Sequence, residues 1–225
     1  MKNRLSLNEI TSTSSKALQT IGMPPGLDVE NARNVAWLEA HSLRGLNILY
    51  KEIIAFKSKP KRLPLCIKNE SEMIRICGQN QSGFSIAQTA IDIAETRKIV
   101  KIDNCRAALI IFAEMARRTH LRFGLCIKWS CDQEKNRGVC IAGKSAITIK
   151  SSNPNAMSNI IISGVDRLRI KNPDEMFSRY NQAISNGITY NNSEWDLIME
   201  TAKKTLVPNS ELSRGGAGAE VDDNN

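Results

Sequence analysis

The chain has 225 residues, 41% of them hydrophobic and 24% charged, an ordinary globular composition with enough length for one large domain. No stretch approaches the roughly 18 apolar residues that a membrane span requires, and the basic start Met1-Lys2-Asn3-Arg4 has no apolar run behind it, which argues against a secretory signal. The formal net charge of +8 permits nucleic-acid binding, but aromatics make up only 5% of the chain, where a nucleic-acid surface interleaves them with its basic residues.

The predicted elements begin with helices. Ser6-Leu7-Asn8-Glu9 fits a capping box, in which the Ser6 hydroxyl takes a backbone amide and Glu9 reaches back. The helix it opens runs to about Ile21, with Gly22 as its C-cap. Met23-Pro24-Pro25-Gly26 is a rigid turn. A second helix covers Leu27 to His41, with Val35, Leu38 and Trp37 facing inward, and Gly45 closes that segment. A third covers Leu46 to Phe56, with Leu49, Ile53 and Phe56 near helical spacing. The basic, proline-containing stretch Lys57 to Pro64 is a surface connection.

Met73 to Ile76 reads as a short strand, and Ser85 to Glu95 as a helix with Ile86, Ala90 and Ile93 inside. Asn104 to His120 is the clearest buried helix, apolar over most of its circumference. A sheet follows. Leu125 to Ser130 alternates, and Val139 to Ala142, Gly143-Lys144 and Ser145 to Lys150 read as a hairpin with a tight glycine-first turn. Asn159 to Ile162 and Val165 to Ile170 are further strands. Pro173 starts a helix that Gly187 ends, and Ser193 begins a last helix that stops before Pro208. Helices at both ends and an antiparallel meander between them give an α+β fold, a single domain over residues 1–225 with a glycine-rich tail over 213–225.

Six cysteines are scattered without a CxxC pair, and the two histidines, His41 and His120, lie at no ligand spacing from them. Zinc and disulfides are therefore not expected. Free thiols in a reducing, cytoplasmic compartment are. Gly138 to Ser145 has the G-x-x-x-x-G-K-S spacing of a phosphate loop. Such a loop opens a helix, whereas here strand-forming residues lie on both sides, so a hairpin explains it better. The basic clusters at residues 57–62, at Arg117, Arg118 and Arg122, and at Arg167, Arg169 and Lys171 read as solvated charge, and nucleic acid is not the expected partner.

Both ends of the chain carry specific patterns. Ser6, Asn8, Glu9, Lys16, Ala17, Gly22, Gly26, Leu27, Glu30, Ala32, Trp37 and Leu38 form one set. Val207, Pro208, Ser213, Arg214, Gly216, Ala217, Gly218, Ala219, Asp223 and Asn224 form the other. Together they resemble an uncharacterised bacterial family, domain of unknown function thirty-seven twenty-six. The chain departs from the family pattern at Leu18-Gln19-Thr20-Ile21 and at its last residue, Asn225. The resemblance implies a bacterial cytoplasmic protein with no assigned activity or cofactor. It also implies that the tail is a feature in its own right, which makes Asn8, Glu9, Trp37, Ser213, Arg214, Gly216 and Gly218 site candidates. Arg117, at the end of an apolar helix and three residues from Glu114, is a further candidate as a carboxylate clamp or a buried ion pair. Capping for Glu9 and core packing for Trp37 are the structural alternatives.

Two functions follow. The first is binding or transforming a small anionic metabolite, held by Arg214 and Arg117, with Glu9 as the acid–base group. The second is a non-enzymatic accessory or assembly role, in which the tail docks within its own subunit or on a neighbour in a homo-oligomer.

Overall fold

A computed structural model describes residues 4–58, 66–77, 81–96, 98–118, 124–130, 137–143, 146–150, 159–165 and 173–205. In chain order the elements are β1 (Arg4–Leu5), α1 (Leu7–Thr20), α2 (Leu27–Ala40), α3 (Gly45–Ser58), β2 (Cys66–Glu70), β3 (Met73–Cys77), α4 (Gly83–Glu95), β4 (Ile99–Asp103), α5 (Leu109–Arg117), β5 (Gly124–Ser130), β6 (Arg137–Gly143), β7 (Ala146–Lys150), β8 (Asn159–Val165), α6 (Pro173–Asn186), β9 (Ile188–Thr189) and α7 (Asn192–Lys203).

Local chemistry sets many of the boundaries. The capping box at Ser6 and Glu9 is formed as expected. Asn191 caps α7 by accepting the Ser193 amide. The helix expected from Asn104 starts only at Leu109, because Asn104 and Ala107 adopt left-handed backbone (φ 55° and 49°) that a helix cannot include.

Seven strands form one sheet in the order β2-β3-β4-β8-β5-β6-β7, and β1 pairs with β9 in a separate ribbon. The expectation of an antiparallel sheet needs one correction: β3 and β4 are parallel. The segment joining them contains α4, long enough to carry the chain back to the same end of the sheet, so a single βαβ unit sits inside an otherwise antiparallel array. The hairpin is present, but Gly143 pairs with Ala146 as the last residue of β6 and is not a turn residue. Lys144 and Ser145 lie outside the described residues, as does most of the Val165 to Ile170 candidate.

Side chains alternate across the sheet as a pleated strand requires. Ile76, Ile102 and Ile160 form one inner row, and Val100, Ile162 and Ile127 another, all buried. Helix α4 packs on β4 and β8, α5 packs on β6, and both meet α2 on their far side. Every residue of α5 from Leu109 to Ala116 is consequently buried, which explains a helix apolar nearly all round. Beyond them α2 lies among α1, α3 and α6, while α7 closes against α1 and α3. The core runs without a break from Leu5 to Ala202. Among the described residues, no helix is long and apolar enough to cross a membrane.

Candidate functional site

Helix α2 is the hub, and its polar residues Asp28, Asn31 and Asn34 are buried with partners. Asp28 accepts hydrogen bonds from Ser15 Oγ (2.7 Å), Gln19 Nε2 (2.6 Å) and the Gly26 amide (2.8 Å). Burial pushes its carboxyl up, but these donors outweigh burial and hold it below the ordinary aspartate range. Asn31 donates to the backbone oxygen of Phe84 (2.8 Å), tying α2 to α4.

Asn34 links α2 to α5. Its amide donates to Glu114 Oε2 (2.8 Å), and its oxygen accepts from Arg117 Nη1 (2.8 Å). Glu114 is only 3% exposed and takes Arg118 Nε on its other oxygen at 2.9 Å. Arg118 continues outward to Asp92 and Glu95, and Arg117 to Glu30 Oε2 at 3.1 Å. Glu30 also pairs with Arg33 through Oε1. One carboxylate thus holds two guanidinium groups side by side, backed by a buried carboxylate that keeps Arg117 in place.

Arg33 and Arg117 edge a pocket of about 250 Å³. Its walls are Leu7 and Thr11 from α1, Ala36 and Trp37 from α2, and Tyr180 from α6. The Trp37 ring is steadied by an edge contact with Phe112 (centroids 5.5 Å apart) and by His41 (4.0 Å), which stacks in turn on Tyr180 (5.7 Å). His41 is itself fixed by a 2.7 Å hydrogen bond between Nδ1 and the Trp37 carbonyl.

A larger cleft, about 440 Å³, opens on the other side of the α2–α6 contact. It is lined by Arg4 beside the β1–β9 ribbon, Glu39 at the end of α2, Ser42 and Arg44 in the turn to α3, and Arg179 with Gln182 and Asn186 from α6.

The structure brings Trp37 and Arg117, two of the sequence candidates, into one pocket. It places Asn8 and Glu9 elsewhere, exposed on α1. Glu9 Oε2 accepts from the Ser6 amide and hydroxyl, both at 2.8 Å, and these bonds hold its carboxyl below the usual glutamate range. Ser213, Arg214, Gly216 and Gly218 lie outside the described residues. Sequence reasoning missed Arg33, Thr11 and Tyr180. The one available signal was Glu30 with Arg33 at helical i,i+3 spacing. Among the described residues, no three His, Cys, Asp or Glu side chains gather as a metal site would need.

Residues 5–92 match the model of a family described as Protein of unknown function (DUF3726). No curated protein matches the chain by sequence. Several solved structures share its fold. Malate dehydrogenase from Pyrococcus horikoshii OT3 superposes with a TM-score of 0.66 at 10% identity, over 91% of this chain and 96% of that one. Malate dehydrogenase from Entamoeba histolytica gives 0.67 at 8% identity, over 92% and 99%. Sulfolactate dehydrogenase from Methanocaldococcus jannaschii gives 0.65 at 11% identity, over 90% and 97%. At such identities the likeness is one of fold.

Proposed function

We propose that the protein binds a small anionic metabolite in the pocket between α1, α2, α5 and α6, with its carboxylate on Arg33 and Arg117 and its carbon skeleton against Trp37 and Tyr180. The observation that carries this reading is the pairing of two guanidinium groups with a single carboxylate, Glu30, at the edge of a pocket with two aromatic walls. Arg33 is half exposed and uses one terminal nitrogen on Glu30, which leaves it donors for an incoming anion, and a planar guanidinium takes a carboxylate in a two-pronged hydrogen bond. The Arg117 side chain is only 21% exposed and anchored from behind, so little order is lost on binding. The solved structures of like fold are named as dehydrogenases of malate and sulfolactate, both small carboxylates, which fits a ligand of this class. The reading extends to a single-domain protein that works on metabolites rather than on nucleic acid.

The test is isothermal calorimetry with L-malate, L-lactate and sulfolactate, on the wild type and on Arg33→Ala. Arg33 has a side chain 52% exposed, so its removal leaves the fold intact. Binding of one of these probes, weakened by about tenfold or more in the variant, supports the reading, since a charge-assisted hydrogen bond is worth about 1.5–3 kcal/mol. Binding that ignores the substitution, or no binding of any probe, refutes it.

A further inference from the structure

The cleft on the far side of the α2–α6 contact has its own logic. Arg44 occupies the residue just before α3, where Ser, Thr, Asp or Asn is usual because their short side chains cap the helix. It does so with φ 56°, left-handed backbone that a long side chain rarely adopts. The capping itself is done from outside: Glu39 Oε2 accepts the Leu46 amide at 2.9 Å. Helix α3 therefore has no use for an arginine at this place. Ser42, also left-handed at φ 61°, is different, because it closes the end of α2 through the Leu43 amide on the Leu38 carbonyl (2.8 Å). The strain at Arg44 has no such return, and its exposed side chain lines the cleft together with Arg4 and Arg179. Gly45 behind it is fixed by packing, since a Cβ there would run into the Val35 carbonyl. The position of the turn, and with it Arg44, is thus set by α2.

We propose that this cleft is a second ligand site, for a small carboxylate that also carries a hydrogen-bond donor such as a hydroxyl or ammonium group: Arg44 holds the carboxylate with Arg4 beside it, and Glu39 receives the donor. Arg44 and Arg4 face the cleft, and a planar guanidinium takes a carboxylate in a two-pronged hydrogen bond. Glu39 has further lone pairs beyond the one used by Leu46. Arg4 is braced by a 2.7 Å hydrogen bond from Nη1 to the Asn186 carbonyl and adds positive charge from the ribbon side. The site stands on residues separate from those of the first pocket and does not depend on that reading.

The test uses 2-hydroxyglutarate, with glutarate as the probe that lacks the donor, and measures affinity by calorimetry alongside the melting temperature. The decisive variant is Arg44→Gly, because glycine suits the left-handed backbone while removing the guanidinium. The expected result is a melting temperature unchanged or raised, with affinity for 2-hydroxyglutarate falling by about tenfold or more, and glutarate binding more weakly than 2-hydroxyglutarate to the wild type. In an Arg33→Ala background, which disables the other pocket, binding of 2-hydroxyglutarate should remain and should still depend on Arg44. A lowered melting temperature in Arg44→Gly would mean that the arginine is structural. Equal binding of the two probes, sensitivity to Arg33→Ala but not to Arg44→Gly, or no binding at millimolar concentration would each overturn the proposal.

Discussion

Removing the Glu114 carboxylate is the sharpest probe of how α5 is held against α2. Glu114→Ala deletes the acceptor for Asn34 Nδ2 at 2.8 Å and for Arg118 Nε at 2.9 Å, and the nearby charge facing Arg117 at 3.8 Å. The two arginines are not stranded, because Arg117 keeps Glu30 and Arg118 keeps Asp92 and Glu95. The buried Asn34 amide does lose its acceptor. Two hydrogen bonds to a charged group at about 1.5–3 kcal/mol each, with a buried donor left unmade, give a loss of about 3–5 kcal/mol. For a chain of this size that is a fall of roughly 6–20 °C in melting temperature. Glu114→Gln should not rescue it, since its amide must face either the Asn34 or the Arg118 donor. Asp92→Ala removes the exposed end of the same network, 56% accessible at its side chain, and should cost less than about 1 kcal/mol. Urea unfolding with an unchanged slope is the assay. A Glu114→Ala loss below about 1 kcal/mol, or equal losses in Glu114→Ala and Asp92→Ala, would refute the argument that burial rather than ion pairing as such sets the energy.

Two further predictions concern protons and thiols. Asp28 has its carboxyl held low in the folded state, so its contribution is complete above the unfolded aspartate pKa of about 3.9 and disappears as pH falls through the folded value. Acid unfolding of Asp28→Asn should accordingly be flatter below that pH than the wild type, and its stability at neutral pH lower by on the order of 2 kcal/mol; parallel acid limbs would count against this. Cys66 and Cys77 face each other across β2 and β3, one exposed and the other half-buried, while burial and the Glu52 charge push the Cys105 thiol up to about 12. Alkylation at mildly basic pH should mark Cys66 well before Cys105, and diamide should join Cys66 to Cys77, because directly opposed strand residues lie within disulfide reach. Peptide mass mapping that found Cys105 labelled first would contradict the burial argument.

The helices were legible because their signals are local. Ser6 and Glu9, Gly26 before α2, Pro173 at the head of α6 and Gly187 after it each act within a turn of where they stand. The strands β2 and β4 were not. Cys66-Ile67-Lys68-Asn69-Glu70 is a mostly exposed edge strand, and its sequence shows no apolar alternation because only one neighbour, β3, gives it a reason to be extended. The parallel pairing of β3 with β4 was hidden for the same reason: with β4 unseen, nothing marked α4 as a crossover. Helix α2 misleads in a different way. Asp28, Asn31 and Asn34 look like a solvated face, yet all three are buried, each satisfied by a partner from another element. Amphipathic reasoning cannot find the buried polar face of such a helix, because what makes its polar residues tolerable is tertiary hydrogen bonding.

The candidate site divides along the same line. Trp37 stood out through the family resemblance, and Arg117 because it is a cation ending an apolar helix. Arg33 and Tyr180 break no pattern and gain meaning only from the docking of α6 on α2. That docking also explains why two spaces lie so close together. Helix α2 gives Arg33, Ala36 and Trp37 to one and Glu39 and Ala40 to the other, while α6 gives Tyr180 to the first and Arg179, its neighbour in sequence, to the second. Successive helical residues project about 100° apart, so neighbours such as Arg179 and Tyr180 can fall on different sides of one helix contact. The Trp37–His41–Tyr180 stack joins α2 to α6. A fold shared with dehydrogenases at about a tenth identity supplies this scaffold without the side chains. On the proposed reading the ligand is selected by this chain's own arginines, and the two pockets can be tested apart because Arg33 lines only one and Arg44 only the other.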